Sequence, residues 1–365
     1  MRSKTMGWVS LVLMGAIVWT PQAIAARKPS PPPEPVPSAE PPPRFWHAFT
    51  ANGGETAGSS RLYVYGGQGG QTGSPVLLGD FWYYRADTGQ WAQAPTGRTK
   101  PGLRDGVGLS CGRGQCLLAN GRRMGALKET WLYTESTSSW SQFNCTRYLC
   151  PSARGFPATA YDPVRDQHVL FGGDPGTSLL YLDDTYTFSA GRWTGRNVSN
   201  RPPARATAAA AFVAADVNMV VMYGGAYYKS GVDAYYFWDA RCDLWAWDGS
   251  NWLSITMSNA GPCLAFPAMA WDPVGERLIV ASGETLVDGR EMPNREVWYF
   301  KFDSGSQTSG RWTRDTGSGF LSCALNASPY ALMAYDMPSA AKVFFGGLQN
   351  TNQGVASNAN TTVCH

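Results

Sequence analysis

The stretch 167-QHVLFGGDPGTSLLYLDDTYTFSAGRW-193 decides the fold, because each of its features recurs along the chain. A short apolar run ends in Gly172 and Gly173, and Asp184 stands two residues before the first of two alternating aromatic residues. Trp193 then follows a short turn. Alternation with a period of two predicts a strand that places both rings on one face.

Six copies of the apolar run occur, at intervals of 52 to 64 residues, and each follows a strand of small residues. The final glycines of the runs are Gly67, Gly121, Gly173, Gly225, Gly283 and Gly347. After the first five runs, the acids before the aromatic alternation are Asp80, Glu129, Asp184, Asp243 and Glu296. The tryptophans that follow are Trp91, Trp140, Trp193, Trp252 and Trp312.

This repeat predicts a unit of four antiparallel strands. Small side chains suit the innermost strand, where several strands converge on one axis, and aromatic side chains fill the gaps where the sheets diverge. We therefore predict an all-β fold, a β-propeller of about six blades with four antiparallel strands each. The last blade is incomplete, since no aromatic pair and no tryptophan follow Gly347. Either a degenerate strand through residues 358–364 closes it, or the sequence is shorter than the natural protein.

The glycine pairs, the spaced aromatic residues and the later tryptophan resemble the kelch repeat, whose period also matches. The resemblance covers residues 44–365, and it is to secreted kelch proteins of bacterial type. It implies a kelch-type propeller but says little about function, because such propellers serve as binding modules and as a few enzymes. Blades two and five depart from the motif, with Asn120 and Ser282 in place of the first glycine. We expect irregular backbone at these two positions.

The N-terminus has the features of a signal peptide over residues 1–25. Arg2 and Lys4 precede an apolar run, and Ala23 and Ala25 occupy the positions that a signal peptidase recognises. The run is too short to span a bilayer and no later run is longer, so we expect no integral membrane segment in the mature chain. Residues 26–43 are rich in proline and predict an extended linker before the propeller domain at 44–365. The predicted location is secreted, either extracellular or periplasmic.

The charge balance of the mature chain argues against a nucleic-acid partner. The sequence has 30 basic and 27 acidic residues, and two of the basic residues, Arg2 and Lys4, fall within the predicted signal. The mature chain is therefore almost neutral. Proteins that bind nucleic acid gain much of their affinity from lysine and arginine on phosphates, and this composition offers no such excess.

Eight cysteines in an exported chain predict disulfides. Two short loops fit a local bridge each; their spacing also fits metal ligands, but no histidine is adjacent. Successive strands alternate direction, so a cysteine before the third strand of a blade shares a face with one after the fourth strand. The same reasoning joins the last cysteine to the segment before blade six. The predicted pairs are Cys111–Cys116, Cys145–Cys150, Cys242–Cys263 and Cys323–Cys364.

Few residues suit catalysis. The kelch resemblance includes copper radical oxidases similar to galactose oxidase, which need two histidines, two tyrosines and a cysteine. This chain has only His47, His168 and His365, so we predict no metal site and no cofactor. A sialidase-like box is also lacking, since the stretch from Asp87 to Trp91 is one residue short and fits a turn. An acid that recurs in five blades favours a structural role, and no catalytic residue is assigned.

Two sets of residues are candidates for binding. Arg104, Arg154 and Arg205 enter first strands from one face, where they either line the channel mouth and bind an acidic ligand or hold blades together. The loop 226–242 of blade four is long and aromatic, and its rings either contact a ligand or are buried beneath the loop as a lid. Its candidate residues are Tyr227, Tyr228, Tyr235, Tyr236 and Trp238, with Phe237 beside them. Exposed rings on a rigid face suit stacking on sugars or docking of a protein.

We therefore expect a binding or scaffolding module that recognises a glycan or an extracellular protein. Its ligand would lie at the face that carries the loops after strand two and before strand one. The alternative is an extracellular carbohydrate-active enzyme on the same scaffold, either galactose-oxidase-like or a glycoside hydrolase. An enzyme needs convergent acids or metal ligands at the channel mouth, whereas a binding module needs exposed aromatic rings and arginines there.

Overall fold

The computed structural model describes residues 40–365 except 55, 57, 146–149, 178–179, 231–235, 288–289, 327, 329 and 352–353. One compact unit runs from Ser38 to His365. The predicted signal peptide at 1–25 and most of the predicted linker lie outside the described residues. Within the described part, no helix is long and apolar enough to cross a membrane.

The first three blades are four-stranded antiparallel sheets whose strands lie in chain order. Blade one consists of β1 (Ala48–Ala51), β2 (Leu62–Gly69), β3 (Val76–Arg85) and β4 (Gln90–Gln93). Blade two consists of β5 (Gly108–Gly112), β6 (Gln115–Ala119), β7 (Thr130–Thr134) and β8 (Ser139–Phe143). Blade three consists of β9 (Ala158–Asp162), β10 (Gln167–Gly173), β11 (Leu182–Ser189) and β12 (Arg192–Arg196).

The last three blades each carry an added hairpin between their second and third strands. Blade four consists of β13 (Ala209–Val213), β14 (Met219–Tyr223), the hairpin β15 (Ala226–Ser230) and β16 (Tyr236–Ala240), β17 (Leu244–Trp247) and β18 (Trp252–Ser254). The short β19 (Thr256–Met257) pairs in parallel with blade five. Blade five consists of β20 (Ala268–Asp272), β21 (Arg277–Ala281), the hairpin β22 (Glu284–Val287) and β23 (Arg290–Pro293), β24 (Trp298–Phe302) and β25 (Ser309–Arg314). Blade six consists of β26 (Leu332–Asp336), β27 (Ala341–Phe345), the hairpin β28 (Leu348–Thr351) and β29 (Gly354–Ser357), and β30 (Thr361–Cys364).

The innermost strands form a closed ring around the channel, because each contacts the innermost strand of the next blade and β26 contacts β1. The predicted six-bladed propeller is therefore confirmed. The second glycine of a blade donates a backbone hydrogen bond to the carbonyl before the next blade, as Gly67 does to Arg104. Gly347 donates to Arg44 at 2.9 Å, which links blade six back to blade one.

The first glycine of each pair lies where the backbone of the next blade approaches closely. A Cβ on Gly66 would lie 2.4 Å from the Arg104 carbonyl oxygen, and φ there is +62°. Asn120 and Ser282 occupy this position with φ of +62° and +56°. The expectation of irregular backbone in blades two and five is wrong, since both residues adopt the left-handed conformation that glycine has elsewhere. Asn120 is held there by hydrogen bonds from its amide to two backbone carbonyl oxygens.

Three of the five repeating tryptophans donate a side-chain hydrogen bond to a threonine of the preceding blade. The Nε1 of Trp193 donates to Thr130 Oγ1 at 3.0 Å, and the Nε1 of Trp252 donates to Thr185 Oγ1 at 2.9 Å. Both threonines come directly after the acid that opens the third strand, and Trp91 bonds Thr361 in the same way. Burial of a large ring with its N–H satisfied stabilises the blade interface.

Blade six has three main strands among the described residues, and β30 takes the place of the third. The degenerate strand predicted through residues 358–364 is therefore confirmed. A short helix, α1 (Gly319–Ala324), precedes this blade, and its Phe320 is buried between Tyr299 of blade five and Phe344 of blade six. Phe320 thus supplies the apolar packing that a fourth-strand tryptophan supplies elsewhere.

All four predicted disulfides are confirmed: Cys111–Cys116, Cys145–Cys150, Cys242–Cys263 and Cys323–Cys364. The last of them connects α1 to β30 across a sequence separation of 41 residues. Because it ties the helix to the third strand of blade six, it secures the one blade whose fourth strand is replaced. The other three close shorter loops.

Candidate functional site

A bowl opens on the face that carries the connections from second to third strands and the segments entering the first strands, here called the upper face. The cavity has a volume of about 660 Å³. Its walls come from the connections of all six blades, and its base comes from the residues that precede the first strands. The lining includes the side chains of Trp46, Arg122, Phe156, Asp174, Tyr181, Tyr228, Phe266, Glu284, Glu291 and Tyr330.

The base of the bowl is built by one structurally equivalent residue from each blade. These residues have φ between +51° and +62° and are Trp46, Gly106, Phe156, Thr207, Phe266 and Tyr330. The five members from Trp46 to Phe266 are linked in turn by backbone hydrogen bonds, for instance from Gly106 N to the Trp46 carbonyl oxygen at 3.0 Å. Non-glycine residues rarely adopt this conformation. These bonds hold three aromatic residues, Trp46, Phe156 and Phe266, at the channel mouth, and the fourth, Tyr330, is held by its hydroxyl bond to Glu284.

These four rings form a layer, here called the aromatic floor (Trp46, Phe156, Phe266 and Tyr330). The rings of Trp46 and Phe266 are stacked with centroids 6.1 Å apart, and Phe156 meets both edge-on. All four also line a cavity of about 150 Å³ in the channel below. The floor therefore separates the bowl from the channel and presents aromatic surface to a ligand.

The guanidinium group of Arg122 packs against two rings of the aromatic floor. The Arg122 guanidinium lies 4.3 Å from the centroid of Phe156 and 5.4 Å from that of Trp46. Its Nε donates to Asp105 Oδ1 at 3.0 Å, and the buried Asp105 also accepts a hydrogen bond from the Gln68 amide. The carboxylate of Asp105 thus balances the charge of Arg122, and the arginine side chain still lines the bowl.

The bowl also contains a buried acid, Glu284, which is the first residue of β22. Its side chain lines the bowl although the residue is only 5% exposed, and it accepts a hydrogen bond from the Tyr330 hydroxyl. Burial raises the pKa of Glu284 to about 7; the bond from Tyr330 opposes this rise and the charge of Glu291 adds to it. Among the side chains that the structure describes, no basic nitrogen lies within 4.0 Å of this carboxylate.

The predicted aromatic loop of blade four contributes one of its described aromatic residues, Tyr228, and also Ala226 to the bowl lining. Tyr228 lies in the wall beside Tyr181, with ring centroids 5.0 Å apart. Tyr227 instead packs beneath the Arg241 guanidinium and donates to Asp239 at 3.1 Å. The backbone forms a hairpin in which Tyr236 and Trp238 lie on β16. Tyr235 lies outside the described residues, and only the backbone is described at 236–238.

The arginines predicted as candidates lie away from the bowl lining, in buried ion pairs. Arg104, Arg154 and Arg205 are at most 2% exposed and bond Glu129, Asp184 and Asp243 of their own blades. Arg44 holds Asp80 in the same way. Each guanidinium also donates to a backbone carbonyl at the end of the second strand. Their guanidinium groups bond within a blade, while their backbone carbonyl oxygens accept hydrogen bonds from the preceding blade.

The histidines do not converge on a site. His47 is buried next to the channel, where burial and the charge of Arg44 lower its pKa to about 3. His168 shares a hydrogen bond of 2.8 Å with Ser110 in the interface of blades two and three. The part of the chain described here contains no group of three or more His, Cys, Asp or Glu side chains able to hold a metal ion.

The sequence prediction missed the aromatic floor. The signal was present, because Trp46, Phe156, Phe266 and Tyr330 each stand two residues after an arginine or its counterpart at the entry to a first strand. The floor was overlooked because the aromatic residues that alternate in the outer strands dominate the pattern. Arg122 and Glu284 follow the glycine of their runs directly, at the start of the loops to the third strands, but nothing in the repeat distinguished them.

Comparison with known proteins supports the fold. No family model matches the chain, and no curated protein matches it. A solved structure of a protein named YjhT is similar, with 15% sequence identity and a TM-score of 0.54, over 75% of this chain and 84% of that chain. At this identity the likeness shows the fold alone. The chain is thus a six-bladed β-propeller, and its kelch character stays a prediction.

Proposed function

We propose that this protein is an exported binding module whose upper-face bowl recognises a glycan. The observation that carries the proposal is the aromatic floor, bordered by the polar groups of Arg122 and Glu284. Sugar rings present apolar faces that stack on aromatic side chains and hydroxyl groups that need hydrogen-bond partners. The volume of about 660 Å³ is within the range of small-molecule sites.

The same bowl accounts for part of the predicted aromatic set. Tyr228 and Tyr181 form a wall to one side of the floor, so a ligand on the floor would also contact them. Tyr227, Tyr235, Tyr236 and Trp238 of the same hairpin stay candidate contacts for a longer glycan that extends beyond the bowl. A protein ligand, the other partner predicted from the sequence, would have to insert a side chain or a loop into this cavity.

The test is titration of the domain with a panel of matrix and cell-surface oligosaccharides, followed by tryptophan fluorescence. Trp46 lies in the floor and would report binding directly. Phe266→Leu and Tyr228→Leu each remove one ring, and we expect each to raise Kd about fivefold, which corresponds to about 1 kcal/mol. Tyr83→Leu is the matched control, because Tyr83 is a half-buried tyrosine on β3 with Arg61 stacked on it, outside the bowl. Absence of binding to every glycan, or equal loss in the control, would contradict the proposal.

A second candidate function is an enzyme acting on carbohydrate, and Glu284 favours it. A buried carboxyl whose pKa lies near 7 can serve as a general acid or base. Glu291 lines the same bowl, and two carboxyls are what a glycoside hydrolase requires. Release of reducing sugar from a bound oligosaccharide, abolished by Glu284→Gln, would establish this alternative. Binding without turnover would support the binding module.

A further inference from the structure

Acidic side chains outnumber basic ones among the lining residues that the structure describes. The lining of the bowl includes three acids, Asp174, Glu284 and Glu291, and one base, Arg122. The charge of Arg122 is already balanced by Asp105, which lies beneath it and bonds it at 3.0 Å. Arg122 is therefore paired with Asp105 and not with Glu284.

Glu284 is the acid whose charge is least compensated. It is 5% exposed, and its described partner is the neutral hydroxyl of Tyr330. A carboxylate removed from water is unfavourable unless a positive charge or several hydrogen bonds accompany it. A cation placed in the bowl beside Glu284 would supply the missing charge.

The aromatic floor suits the same kind of ligand. The face of an aromatic ring attracts cations, and Arg122 already uses the faces of Phe156 and Trp46 in this way. Tyr330 belongs to the floor, and its hydroxyl donates a hydrogen bond to Glu284. A carboxylate and an aromatic ring therefore lie next to each other in the bowl. Rings next to a carboxylate are the groups that recognise ammonium ions in proteins.

We propose that the bowl selects glycans that carry a positive charge, such as sugars with a free or methylated amino group, and places that ammonium group beside Glu284. This inference rests on the proposed glycan-binding function and specifies its ligand. Neutral N-acetylated sugars of the same length would make the stacking contacts but leave Glu284 uncompensated. Anionic glycans would be repelled.

The test compares two glucosamine oligomers of equal length, one N-acetylated and one N-trimethylated, by calorimetry. The trimethylammonium charge does not change with pH, so only the protein titrates. At pH 7.5 we expect the cationic oligomer to bind at least tenfold more tightly. Glu284→Gln should bring the ratio of the two affinities close to one. Glu276→Gln is the control, because it removes an exposed carboxylate from the turn between β20 and β21, on the opposite face.

The wild-type protein gives a second measurement that needs no variant. The groups that face Glu284 are the Tyr330 hydroxyl and Glu291, with Asp174 and Arg122 elsewhere in the lining. Between pH 8 and pH 6 the affinity for the cationic oligomer should fall several-fold as Glu284 takes up a proton, while the affinity for the acetylated oligomer stays constant.

The outcomes separate this inference from the proposed function. Equal affinity for the two oligomers, or a preference that survives in Glu284→Gln, would overturn the cation selectivity and leave glycan binding standing. Failure of both oligomers and of the whole glycan panel would overturn both proposals. Tighter binding of the cationic oligomer with the expected pH dependence would support both.

Discussion

The Tyr330 hydroxyl donates a hydrogen bond to the Glu284 carboxylate in the bowl of the propeller. The two residues come from different blades, because Glu284 opens the hairpin of blade five and Tyr330 precedes the first strand of blade six. Their contact places a buried acid next to the aromatic floor. It also makes Glu284 a residue whose ionisation is linked to the stability of the fold.

Glu284→Gln should change how stability depends on pH. The pKa of Glu284 is raised from 4.5 to about 7 in the folded protein. Between these values the folded protein holds a proton that the unfolded chain releases, so this group makes the protein less stable as pH rises. From pH 4 to pH 8, the free energy of unfolding of the variant should rise relative to wild type by about 3 kcal/mol. Urea denaturation at several pH values measures it, and a difference independent of pH would contradict the linkage.

Arg205→Lys should weaken the fold without altering the bowl. Lysine cannot reproduce the two bonds to Asp243 and the bond to the Gly224 carbonyl oxygen that the guanidinium makes. We expect a loss of about 2 kcal/mol in the free energy of unfolding. Kd for a glycan should stay within about twofold of wild type. A large rise in Kd at unchanged stability would restore Arg205 as a ligand contact.

Thr185→Val should destabilise the interface between blades three and four. It preserves the shape of the side chain but removes the acceptor for Trp252 Nε1, which is then buried without a partner. We expect a cost of about 1 to 3 kcal/mol in chemical denaturation. Thr194→Val on the exposed side of β12 is the control and should change stability by about 0.5 kcal/mol or less. Equal effects of the two substitutions would argue against the hydrogen bond as an anchor.

Removal of Cys323–Cys364 should cost more than removal of Cys145–Cys150. The first bridge has a sequence separation of 41 residues and the second one of 5. A bridge across a longer loop restricts the unfolded chain more, so we expect losses of about 4 and about 2 kcal/mol for the paired Cys→Ser variants. Denaturation of both double variants compares them. A smaller loss at the long bridge would mean that α1 stays docked through Phe320 alone.

Much of the fold could be predicted because short, repeated sequence patterns specify it. The period of the glycine runs and the alternating aromatic residues specify short strands and their order. Strand direction then predicted even the distant pair Cys323–Cys364. Asn120 and Ser282 misled the prediction, because sequence pattern does not reveal that backbone contacts from the next blade impose a left-handed conformation on any residue placed there.

The sequence by itself determined that the chain is a propeller of about six blades, with its aromatic packing, its four disulfides and its degenerate last blade. Only the tertiary structure decided which residues meet at the upper face. Arg205 and Arg122 are both arginines near a strand end, yet one is buried against Asp243 and the other lines the bowl. The physical reason is that a repeat pattern fixes contacts within and between neighbouring blades. A site at the axis is formed instead by single residues from all blades, which come together only when the ring closes.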